Sequence, residues 1–88
     1  MEFFGRIKEI DEVVKGTSEK GEWQRQTVVV ETFEMPSTYL AIDAIGERIG
    51  KLATLQPGMA VRALFNVSSR KSEKGWFTSA TLWDINKL

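Results

Sequence analysis

The 88-residue chain has no cysteine and no histidine. The first absence excludes disulfide staples, zinc–thiolate sites and thiol nucleophiles. The second removes the commonest general base and the commonest metal ligand. Charge of one sign is also missing: 12 Lys and Arg are balanced by 12 Asp and Glu, for a formal net charge of zero. No apolar run approaches the ~20 residues that cross a bilayer. The opening Met-Glu-Phe-Phe-Gly-Arg lacks the basic-then-apolar layout of a signal peptide. These absences lead us to expect a cytoplasmic protein, not an enzyme, with no cofactor, no metal and no membrane partner; a secreted domain this small more often carries disulfides. What is present is ordinary for a globular chain, with 42% hydrophobic and 27% charged residues. The length fits one domain over residues 1–88.

The hydrophobic pattern predicts mostly strands. Residues 3–14 read as a first strand, through Phe3, Phe4, Ile7, Ile10, Val13 and Val14, with Gly5 marking a bulge or sharp bend. Lys15 to Glu22 has no apolar residue and two glycines, so a hairpin loop is expected. A second strand over 23–33 is anchored by Thr27-Val28-Val29-Val30. Glu34-Met35-Pro36-Ser37 reads as a turn, and Thr38 to Asp43 as a third strand. Over 45–55 the period changes. Ile45, Ile49, Leu52 and Leu55 share one helical face, Asp43 is a candidate N-cap, and Gln56-Pro57-Gly58 ends the helix. Met59 to Arg70 and Trp76 to Ile85 complete the strands, joined by the hairpin loop Lys71 to Gly75.

The order β-β-β-α-β-β describes an all-β fold with one helix, the five-stranded Greek-key barrel called the OB-fold. The helix would plug one end of the barrel with its apolar face. Phe4, Phe65, Phe77 and Trp83 are expected in the core, because so small a domain has little other apolar mass to bury.

Phe4-Gly5-Arg6-Ile7, Gly16-Thr17-Ser18, Trp23, Pro57-Gly58, Phe65 to Arg70 and Gly75-Trp76-Phe77 together resemble a small bacterial family of single OB-fold domains. The likeness covers nearly the whole chain, and Arg70 with Gly75-Trp76-Phe77 is its most specific part. The family is similar in shape to single-stranded DNA-binding proteins and to primosomal replication protein N. The resemblance implies the fold and carries no settled activity. This chain departs from the family's pattern at Val28, where Phe is usual, and near Ile45, where a Trp is common.

Two features bear on binding. Ser18-Glu19-Lys20-Gly21 precedes Trp23, and Ser72-Glu73-Lys74-Gly75 precedes Trp76. In an OB-fold the corresponding loops flank the binding groove. Lys20 and Lys74 would reach phosphates there, helped by Arg70 and Lys71, with Trp76 packed on the stem of Arg70. The bland reading is that Ser, Glu, Lys and Gly are routine hairpin residues. The second feature is parity. If Val28 and Val30 fill the barrel, Trp23, Arg25 and Thr27 face outward, with Tyr39 and Ala41 beside them. Trp23 and Tyr39 would then offer stacking surfaces to bases. The competing reading folds Trp23 over the barrel mouth as core.

Charge is unevenly spread: residues 61–88 carry +3, residues 27–60 carry −2 and residues 1–26 carry −1. A modest basic stripe could run through Arg6, Lys8, Lys15, Arg25, Arg70, Lys71 and Lys74. Two readings stand. The first is a module binding single-stranded DNA or RNA. The second is a protein-interaction or structural module acting through a homo-oligomer interface, with Val29, Ala41 and Met59 as candidate contacts.

Overall fold

A computed structural model describes all residues, 1–88. Six strands form: β1 (Glu2–Ile10), β2 (Val14–Ser18), β3 (Gly21–Thr32), β4 (Tyr39–Ile45), β5 (Ala60–Ser72) and β6 (Gly75–Lys87). The expected first strand is divided. Asp11 to Val13 leave the ladder, and the polar stretch read as a loop becomes β2, paired with β3 from Val14↔Arg25 to Ser18↔Gly21. The strand order is β1-β5-β6-β4-β3-β2, and an additional β1–β3 pairing closes five strands into a ring. β4 and β6 meet in parallel through the one bridge Asp43↔Thr81, and the other pairings are antiparallel. This is the OB-fold topology, with β1 and β2 together occupying the place of the first strand.

Closure requires β1 to pair on both sides at once. Gly5 faces Thr32 of β3 and Val61 of β5. A β-carbon there would collide with the carbonyl of Glu31, so only glycine admits the two backbones this closely. The bulge lies three residues further on. Ile7 pairs with Val30 and Glu9 with Val29, which leaves Lys8 as the extra residue.

The core is aliphatic. Ile7, Val28, Val30, Ile42, Ala44, Leu52, Val61, Ala63, Ala80, Leu82 and Ile85 are buried, with Phe65 as the one buried aromatic. The expectation that large aromatics fill the ring is corrected, because Phe4, Phe77 and Trp83 are exposed. A second bulge explains part of this. Leu64 pairs with Asp84 and Phe65 with Leu82, so Trp83 is the unpaired extra residue. It shifts the inward parity of β6 from Ala80 and Leu82 to Ile85. Trp83 instead lies outside, under the Arg48 guanidinium at 5.5 Å, and its carbonyl accepts a hydrogen bond from Arg48 Nη1 at 2.9 Å. Phe77 is exposed for a related reason: counted back from Ala80 and Leu82 it has the outward parity of β6.

The expected helix is a 3₁₀ helix over Gly46–Leu52. With three residues per turn, Ile49, Leu52 and, just past its end, Leu55 fall in one row and pack on the core. Ile45 is out of that row and exposed. Asp43 is no cap. It lies in β4, and the N-cap position is Ile45, with no side-chain bond. Lys51 reaches Asp84 at 3.0 Å and ties the helix to β6. Hydrogen bonding from Lys51 holds the Asp84 carboxyl below its ordinary value. The sign follows: this contribution is present above the unfolded-state value, about pH 4, and fades as the pH falls through the lowered folded value.

Candidate nucleic-acid interface

Register fixes which side chains face outward. Val28 and Val30 are fully buried, so Trp23, Arg25, Thr27, Val29 and Glu31 lie on the outer face of β3. Across β4 their partners are Ile45 for Arg25, Asp43 for Thr27, Ala41 for Val29 and Tyr39 for Glu31. The indole of Trp23 therefore projects outside the barrel. It lies over Gly16, its cross-strand partner, so closely that a β-carbon on Gly16 would overlap the six-membered ring. The Arg25 guanidinium sits 5.9 Å from the same indole. One side of Trp23 is thus seated on backbone, and 38% of the residue stays open to solvent.

Tyr39 is exposed, but it is not beside Trp23 as expected. It pairs with Glu31, eight residues along β3 from Trp23, which is about 27 Å of extended strand at 3.4 Å per residue. The outer face thus carries aromatics at two ends. Thr27 and Asp43 lie between them, joined by a hydrogen bond from Thr27 Oγ1 to Asp43 Oδ1 of 2.7 Å.

Two hairpin arms extend from the ring. Their tips are built alike. In each, the serine hydroxyl donates to the glycine carbonyl and accepts from the lysine N–H, through Ser18, Lys20 and Gly21 in one and Ser72, Lys74 and Gly75 in the other. Gly21 and Gly75 have φ of 110° and 122°, a region that favours glycine and ends a tight hairpin turn. Lys20 and Lys74 are therefore held at the two tips, both exposed. The second arm separates the remaining candidates. Arg70 pairs with Phe77 and Lys71 with Trp76. Ala80, paired with Val67, faces the core, so Lys71 and Trp76 lie on the side that continues the barrel interior. Arg70 and Phe77 lie on the side that continues the outer face. Trp76 therefore does not pack on Arg70; the two occupy opposite faces of the arm.

Counting back along both strands from the Asp43↔Thr81 bridge brings Phe77 level with Tyr39. Phe77 is the residue that sequence reasoning placed in the core and that belongs to this surface. Its signal was the hairpin register itself, because a turn closed by Ser72↔Gly75 pairs residue 70 with residue 77.

The surface is not a continuous basic channel. Arg25 and Arg70 are its cations, and Glu31 and Asp43 lie between them. Arg6, expected in the basic stripe, is engaged elsewhere, donating to the Gly58 carbonyl at 3.1 Å and lying 5.6 Å from the Phe33 ring. Of the candidate dimer contacts, Met59 packs against the core, Val29 is half-buried, and Ala41 is exposed.

A closed ring with this strand order, one helix between β4 and β5 and two protruding hairpins is an OB-fold. The chain belongs to the family described as domain of unknown function DUF3127, which residues 2–86 match. No curated protein matches the sequence. Among solved structures, the fold is similar to Rim1, the mitochondrial single-stranded DNA-binding protein of S. cerevisiae. That likeness covers 100% of this chain and 92% of Rim1, with a TM-score of 0.78 and 22% identity. It is also similar to a small single-stranded DNA-binding protein from Streptomyces coelicolor, covering 100% and 92% of the two chains, with a TM-score of 0.51 and 15% identity. At these identities the likeness is one of fold.

Proposed function

We propose that this protein binds single-stranded nucleic acid along the outer face of β3 and β4, without catalysing a reaction. The observation that carries the reading is the outward indole of Trp23, seated on Gly16 with Arg25 beside it. A flat aromatic surface held in place before binding loses little freedom when a base stacks on it, and such stacking is sequence-tolerant. Tyr39 and Phe77 provide a second stacking end. Arg25, Arg70, Lys20 and Lys74 supply the contacts to phosphate. The absence of His and Cys and the isolation of the outer-face carboxylates support binding over catalysis.

Four cations imply a shallow salt dependence, with a slope of about −2 to −3 at roughly −0.7 per phosphate. The test is anisotropy of a labelled oligothymidylate titrated with protein at about 50 mM and about 200 mM salt. Saturable binding that weakens with that slope supports the reading. No binding at the lower salt with tens of micromolar protein defeats it. It would leave the second reading, a self-association or protein-interaction module, for which the exposed Phe4, Phe33 and Met35 are the apolar surface.

A further inference from the structure

Beyond the Asp43↔Thr81 bridge, β4 and β6 diverge and leave a cleft of about 350 Å³. Its walls are Leu40, Ala41, Val67 and Ala80 on the apolar side, and Asp43, Thr78 and Ser79 on the polar side. The volume falls within the range of small-molecule clefts. The cleft opens between the two aromatic ends of the outer face, so a strand stacked on Trp23 at one end and on Tyr39 or Phe77 at the other passes over it.

Asp43 is the unusual member. It is half-buried, and neither ion pair of the protein, Lys51–Asp84 or Arg62–Glu2, neutralises it. A carboxylate in the path of a polyanion costs affinity unless the ligand brings donors to it. Ionised Asp is acceptor-only, with about four lone-pair positions. Thr27 Oγ1 occupies one on Oδ1 and fixes the orientation of the group, leaving the other oxygen free. Among the bases, guanine alone offers two adjacent donors on one edge, the ring N1–H and the exocyclic amine, in the spacing of a carboxylate. Adenine and cytosine offer one amine beside a ring acceptor. Thymine offers one N–H between two carbonyls, which the carboxylate repels.

We infer that this cleft is a base-reading pocket selective for guanine, with Asp43 as the residue that reads its Watson–Crick edge and the apolar wall of Ala41, Val67 and Ala80 receiving the ring. The inference rests on the strand-binding reading above and names a specificity within it. The uniform face would bind any strand; the pocket makes one position of the strand prefer guanine.

The experiment compares short oligothymidylates that differ at one central nucleotide: guanine, hypoxanthine, cytosine, adenine or thymine. The guanine strand is expected to bind about fivefold or more tightly than the all-thymine strand, the lower end for a bidentate contact. Hypoxanthine, which lacks the exocyclic amine, falls between them. Asp43→Asn keeps an acceptor for Thr27 and is expected to abolish the guanine preference while tightening the all-thymine strand. Equal affinity for the five strands overturns the base reader and leaves the strand-binding reading intact. A guanine preference that survives in D43N overturns the role of Asp43. Failure of every strand to bind overturns the strand-binding reading, and the pocket with it.

Discussion

The two hairpin arms carry the same tip and behave differently. Ser18-Glu19-Lys20-Gly21 and Ser72-Glu73-Lys74-Gly75 close with the same pair of serine hydrogen bonds. Yet Trp23 lies down on its arm, 38% exposed, while Trp76 stands off its own, 69% exposed. The turn therefore fixes register and nothing more. The residue across the ladder decides the posture of the ring. Gly16 opposite Trp23 leaves room for the indole to lie flat; Lys71 opposite Trp76 does not. A flat, seated ring is prepared for stacking, whereas a free one must first be ordered.

The largest effect expected from this contrast is on binding. Trp23→Ala should weaken oligonucleotide affinity by about 1–3 kcal/mol, roughly five- to 150-fold. Trp76→Ala, on the other side of its arm, should change affinity less than about twofold. Titration of both variants under one salt condition decides between them, and equal losses would break the comparison. Gly16→Ala comes next. Its methyl group must displace the indole, at a stability cost of about 1–3 kcal/mol, read by urea unfolding. Affinity should fall alongside it, although no residue that contacts the strand has been removed. The smallest effect concerns the tips. Ser18→Ala and Ser72→Ala each remove exposed hydrogen bonds worth about 0.5–1 kcal/mol and should cost equal amounts, because the turns are the same. A large difference between the two would show that the arms diverge already at their tips.

The parity of β3 was legible in the sequence only as a condition, because Val28, Val29 and Val30 are alike and it is the burial of Val28 and Val30 that decides it. Trp23 and Arg25 follow from it. The ring topology was legible from the order of strands around a single helical stretch. Other features were not. The bulges at Lys8 and Trp83 carry no strong local signature and reverse parity beyond them, which is why Trp83 was expected inside. Phe77 was expected inside because it shares odd numbering with Ile85, and the bulge between them gives the two residues opposite faces. The distance between Trp23 and Tyr39 depends on the pairing Tyr39↔Glu31, which the turn at 34–37 sets and the spacing of apolar residues does not. The helix was legible as a packing face, but its 3₁₀ geometry was hidden, because Ile49, Leu52 and Leu55 fit both periods.

The central claim is that a base stacks on Trp23. The direct measurement uses the double variant Trp76→Phe and Trp83→Phe, which leaves Trp23 as the sole indole, with thermal unfolding confirming that the ring is retained. Titration with oligothymidylate should quench the fluorescence of Trp23 in proportion to the anisotropy of the labelled strand, with the same midpoint. Strand binding that leaves this fluorescence unchanged would contradict the account, since the nucleic acid would then occupy some other face of the protein.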